Sequence, residues 1–154
     1  MRSAILALGL VMLTGACATQ QQLLRGRVSV TSMGPRPLTT LVTDTTGPIA
    51  LEGPLEPELR RINGAYVEVE GKRTETPPNG GIDVERYVIL EIEGEQPFVG
   101  ALDPTGTRLV TEDGSTLMLE HLPEPIRGAT RIWVIGDRRE NVVAVRSAGV
   151  LTRE

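Results

Sequence analysis

The chain carries the same β-rich stretch twice, and this duplication constrains its fold more than any other feature. Leu41-Val42-Thr43-Asp44 matches Leu109-Val110-Thr111-Glu112. The match continues without a gap through Ile49-Ala50-Leu51-Glu52 against Leu117-Met118-Leu119-Glu120 and ends at Glu56-Pro57 against Glu124-Pro125, with seven identities between Leu41 and Pro57. After a three-residue deletion, Val67-Glu68-Val69-Glu70-Gly71 meets Ile132-Trp133-Val134-Ile135-Gly136. A repeat of this length is one supersecondary unit used twice.

The unit is made of short β-type runs separated by Gly, Pro and Asp. Strands are expected over Gly26–Val30, Thr39–Thr43, Pro48–Leu51, Tyr66–Glu70 and Arg86–Ile92 in the first half. In the second half they fall at Phe98–Leu102, Arg108–Thr111, Thr116–Glu120, Arg131–Ile135 and Val142–Val145, with Gly149–Leu151 as an extension. Strict alternation in Tyr66-Val67-Glu68-Val69-Glu70 puts the valines on one face and polar groups on the other. Asp103-Pro104-Thr105-Gly106 and Glu112-Asp113-Gly114 read as hairpin turns. Short strands at regular spacing indicate an all-β barrel or sandwich.

One helix interrupts the pattern. Glu56-Pro57-Glu58-Leu59-Arg60-Arg61-Ile62-Asn63-Gly64 has proline and acids at its start, arginines late and glycine beyond its end, which are helix start and stop signals. Three strands, a short helix and two strands make an element order that resembles the OB-fold barrel. That resemblance implies one OB-like barrel over residues 24–97. In the second half the helix shrinks to about one turn at Pro123–Arg127, so residues 98–154 are expected to form a shorter OB-like or SH3-like barrel. A single β-sandwich built from both halves is the structural alternative.

The N-terminus reads as an address. Arg2, an apolar run from Ala4 to Leu13 and small residues before Cys17 have the plan of a secretory signal peptide. Ten apolar residues are too few to span a bilayer, which takes about 20. Leu13-Thr14-Gly15-Ala16-Cys17 resembles the lipobox of bacterial lipoproteins. The resemblance implies cleavage after residue 16, a diacylglyceryl group on the Cys17 thiol and an acylated amine, and stable attachment indeed takes more than one chain. Because Ala18 is not the aspartate that signals retention, it also implies the periplasmic face of the outer membrane. Neutral, polar residues 18–22 then belong to a lipidated tether over residues 17–23.

The expected mature chain has 138 residues, 15 of them basic and 20 acidic, a net charge of −5. That sign opposes binding to a polyanion such as nucleic acid. Cys17 is the only cysteine, so no intramolecular disulfide contributes and stability must come from apolar burial.

Catalytic groups are scarce. His121 is the only histidine, and its repeat partner is Gly53, which makes it a turn residue at a strand end rather than a base. No serine lies in a Gly-x-Ser-x-Gly context, and no phosphate loop, Cys pair or calcium loop occurs. No cofactor or metal is implied, and the chain is not expected to be an enzyme.

Binding features are few but can be named. Tyr66, Tyr87, Phe98 and Trp133 are the mature chain's only aromatic residues. Ile132 and Val134 match Val67 and Val69, so Trp133 points away from its own core, where the first half has Glu68. It either contacts a partner or packs against the other half. Trp133, Tyr66, Glu68 and Arg131 are the candidate contact residues. Residues 24–97 hold 8 basic and 12 acidic residues against 7 and 8 in residues 98–154, which raises the expectation that the acidic strands around Glu68 and Glu91 meet the Arg131/Trp133 side. The expected function is a non-enzymatic binding or assembly module with an envelope protein as partner, the alternative being a binder of a glycan or small ligand. An envelope hydrolase built on His121 comes third.

Overall fold

The computed structural model describes residues 21–153 except 33, 35 and 78. The expected signal peptide and Cys17, the expected acylation site, lie outside the described residues. The first half consists of β1 (Gln21–Thr31), β2 (Leu38–Thr43), β3 (Gly47–Glu52), α1 (Glu56–Arg61), β4 (Tyr66–Thr74) and β5 (Gly81–Glu91). The second consists of β6 (Phe98–Leu102), β7 (Arg108–Thr111), β8 (Thr116–Glu120), a single 3-10 turn (Glu124–Ile126), β9 (Arg131–Arg139) and β10 (Val142–Thr152).

Each half closes into its own five-stranded barrel, in the order β1-β2-β3-β5-β4 and, equivalently, β6-β7-β8-β10-β9. The single sandwich is therefore ruled out. The two barrels share register as well as order. Leu41 opposes Ile49, and Leu109 opposes Leu117; the parallel seam pairs Leu51 with Ile82, and Leu119 with Val143. Both long hairpins bulge at the same place, skipping Glu85 in β5 and Arg146 in β10. The glycine that precedes the bulge on the partner strand also repeats. A Cβ on Gly71 would lie 2.1 Å from the Asp83 carbonyl oxygen, and one on Gly136 would lie 2.2 Å from that of Ala144. Only glycine permits backbones to cross so closely.

The alternation read from the sequence decides what is inside. Val67 and Val69 fill the first barrel, while Ile132 and Val134 fill the second, all fully buried. α1 places Leu59 across the first barrel, and the 3-10 turn does the same with Ile126. Six residues are too few for a stable isolated helix, so α1 is held by that burial, by its Glu56–Arg60 pair at 2.6 Å and by Thr39, whose hydroxyl donates to Glu56. Gly64, at φ 89°, takes the chain out of the helix and into β4.

Several boundaries differ from expectation. β1 starts at Gln21, opposite Lys72, so the last three residues assigned to the tether are strand. β4 and β5 extend into the expected loop and leave residues 75–80 as the connection. β9 continues to Arg139, and β10 is continuous, because its bulge absorbs the break in alternation around Arg146. Glu68 and Glu70 do not join the halves: they pair with Arg25 and Arg86, each at 2.5 Å, within the first barrel, whereas Tyr87 of β5 does meet Arg131.

Candidate functional site

Ile132 and Val134 turn into the second barrel, which forces Trp133 out of it. The indole does not face open solvent. It packs, half-buried, on the core cluster of the first barrel, together with Val99, Ile135 and Leu151 of the second half. Gly149 lies opposite Trp133 on β10, and a Cβ there would come within 2.5 Å of the indole Nε1, so the missing side chain is what lets the ring lie over the strand.

The remaining indole surface borders a groove across the outside of the first barrel. Near Trp133 a hollow of about 300 Å³ is lined by Arg27, Arg61, Asn63 and Glu93. It shares Arg27, Asn63 and Gly64 with a second hollow of about 460 Å³ that reaches Ser29, Val42, Asp44 and Tyr66. Strand register explains the floor, because Tyr66, Arg27 and Val42 are direct neighbours across β4, β1 and β2. The groove wall is fixed by polar bonds. Arg27 Nη1 donates to the Gly64 carbonyl at 2.6 Å, Asn63 Oδ1 accepts from the Val30 amide at 3.0 Å, and Arg61 Nη1 donates to the Leu151 carbonyl at 3.1 Å.

A second polar cluster joins the barrels. Glu58, on α1, accepts from the Tyr87 hydroxyl at 2.6 Å, from Arg131 Nη1 at 2.5 Å and from the Thr152 hydroxyl at 2.5 Å. Arg131 also bonds Glu112 through Nη2 and stacks 5.2 Å from the Tyr87 ring centroid. Burial by itself would raise the Glu58 pKa. The hydrogen bonds from Thr152 and Tyr87 and the charge of Arg131 outweigh it and hold this carboxyl below its ordinary range. Burial, and then the bond to Glu58, push the Tyr87 hydroxyl up, so it remains a proton donor.

The structure thus places Trp133 and Tyr66 at the two ends of one groove, Arg131 in the joint between barrels, and Glu68 apart from both. The groove residues absent from the sequence reading are Arg27, Arg61 and Asn63. The Asn63-Gly64 helix stop was the available signal, since such a stop must turn the chain sharply at the surface. His121 is exposed and adopts φ 63°, the left-handed conformation that its repeat partner Gly53 shows at φ 91°. Among the described residues no cluster of three His, Cys, Asp or Glu side chains is arranged to hold a metal, and no helix is long and apolar enough to cross a membrane.

Comparison with known protein families, with curated proteins and with solved structures finds no match in any of the three.

Proposed function

We propose that this protein is a lipid-anchored, non-enzymatic binding module of the bacterial cell envelope, and that its groove between Trp133 and Tyr66 takes a glycan. The groove carries the proposal: two aromatic faces flank two arginines, an asparagine, a serine and the carboxylates of Asp44 and Glu93. Flat apolar rings with interspersed hydrogen-bonding groups suit the alternating CH faces and hydroxyls of sugars, with the arginines and Asn63 as donors and Asp44 and Glu93 as acceptors. The strands that form the floor belong to a closed barrel, so the surface is preorganised. Anchoring through Cys17 is supported by the lipobox-like Leu13-Thr14-Gly15-Ala16-Cys17, whose cysteine lies four residues before β1. That span reaches at most about 14 Å, which keeps the groove near the membrane surface.

Trp133 is the only tryptophan, so its emission reports on the groove directly. Titration with soluble muropeptides and with uronic-acid oligosaccharides is expected to shift that emission saturably. Arg27→Met and Tyr66→Ala are expected to abolish the shift while leaving the fold intact by circular dichroism. Absence of a saturable shift with either class overturns the glycan reading. Anchoring has its own test. Wild-type chain expressed with radiolabelled palmitate should take up label and sediment with membranes, and an unlabelled, soluble product overturns it.

A further inference from the structure

β5 has two unlike edges. On one side it pairs with β4 from Gly81 to Glu91, whereas on the other it pairs with β3 only from Gly81 to Asp83. From Glu85 to Glu91, roughly 23 Å of strand, the second edge has no strand partner. Among the described residues no backbone hydrogen bond from a loop reaches it. The equivalent edge of β10 is covered. At its C-terminal end α1 of the first barrel lies alongside, Arg61 donates to the Leu151 carbonyl, the Thr152 hydroxyl donates to Glu58, and Leu151 is 1 % exposed. Of the two equivalent edges, β10 has a helix packed along its end, whereas on β5 Glu58 and Arg131 reach only the Tyr87 side chain. Closed barrels normally abolish such edges, because a row of unpaired N–H and C=O groups is a template for another strand.

The open edge lies in a cleft between the barrels. Two hollows of about 290 and 240 Å³ follow it and share Tyr87, Val88, Glu112 and Arg131. Val88 offers apolar surface at 39 % exposure. On the facing wall, the Arg138 guanidinium sits 5.9 Å from the Phe98 ring centroid. Its Nε donates to the Glu140 carbonyl at 2.7 Å, and among the described residues its two terminal nitrogens make no hydrogen bond, although the Asp113 carboxylate lines the same hollow and feels its charge. Arg131, by contrast, is fully engaged by Glu58, Tyr87 and Glu112.

We propose that an extended peptide segment of another protein adds as a strand to the open edge of β5, with an acidic side chain directed to Arg138. Unpaired ladder groups select an extended backbone, and alternate side chains of the added strand supply specificity. Arg138 presents a fork of donors suited to a carboxylate. This site is separate from the Trp133–Tyr66 groove and does not depend on it.

The experiment uses residues 18–154, which leave out Cys17 and keep every described strand. In amide hydrogen exchange, alternate amides between Glu85 and Glu91 are expected to exchange quickly, while the intervening amides that β5 directs to β4 are protected. Random dodecapeptides displayed on phage are then panned against the protein. Selected peptides should contain an acidic residue, slow the exchanging β5 amides, and bind about tenfold more weakly to Arg138→Gln. N-methylation of alternate peptide amides should abolish binding in one phase and leave it in the other. Tyr66→Ala should bind the same peptides unchanged, which separates this result from the fate of the glycan reading. The proposal is overturned by uniform protection along β5, by selection of no peptide, by indifference to both phases of N-methylation, or by sedimentation showing that two copies pair through β5.

Discussion

Glu58 of the first barrel and Arg131 of the second meet at 2.5 Å, Oε2 to Nη1, with side chains 15 % and 27 % exposed. The pair is largely withdrawn from water and shares its remaining bonds with Tyr87, Thr152 and Glu112. Removing one member strands the other without its counter-charge. Arg131→Met is expected to cost about 2–3 kcal/mol, or roughly 10 °C in melting temperature. Adding Glu58→Gln should return part of the loss, and strict additivity in this double-mutant cycle would contradict the pairing.

The same carboxylate makes stability depend on acid. Its folded pKa is depressed below the ordinary 4.5, first against burial and then through Thr152, Tyr87 and Arg131. Its contribution is therefore complete above pH 4.5 and is lost as pH falls through the folded value. Asp103 and Asp113, held at about 2 by hydroxyl and amide donors in their turns, add a further loss of the same sign as the pH approaches that value. Chemical denaturation at stepped pH should show stability falling below pH 4.5, with a shallower slope in Glu58→Gln.

Gly136 and Gly114 separate two reasons for glycine. At Gly136 a Cβ would meet the Ala144 carbonyl at 2.2 Å, and backbone cannot give way cheaply. Gly114 has φ 83° with nothing within 4 Å. Gly136→Ala is expected to cost more than about 3 kcal/mol, and Gly114→Ala about 1 kcal/mol. Similar values by urea denaturation would mean that the close crossing does not hold β9 and β10 together.

His121 tests whether the repeat or chemistry governs its position. Its φ of 63° is costly for a residue with a side chain and free for the glycine in the first barrel. His121→Gly is expected to stabilise the fold by up to about 1 kcal/mol and to leave the proposed glycan and peptide binding unchanged. A loss of either binding activity would give the imidazole a role.

The elements were legible because two independent signals coincided. Val67, Val69, Ile132 and Val134 alternate with polar groups, and the alignment of Leu41–Pro57 with Leu109–Pro125 carries over residue by residue into strand register. Strand ends were not legible, since bulges at Glu85 and Arg146 reverse the alternation and look like breaks. Trp133 could be named as turned away from its own core, but not what it meets. That depends on the angle between barrels, which no local pattern encodes. The Glu58–Arg131 bond was hidden for the same reason: its partners are 73 positions apart and on different barrels. Charge counting pointed instead to Glu68, whose partner Arg25 stands on the adjacent strand.

The parallel seams of both barrels are only three residue pairs long, which gives the molecule a direction of mechanical strength. Tension applied at the N-terminus enters through β1, paired with β4 over Gln21–Arg27 and with β2 over Arg27–Thr31. A pull along β1 must slide these ladders and break many bonds together. The short clasps between β3 and β5 and between β8 and β10 lie off that line of force. A chain tugged from its first strand is therefore loaded in shear along ladders of seven and five residue pairs rather than across its three-pair seams.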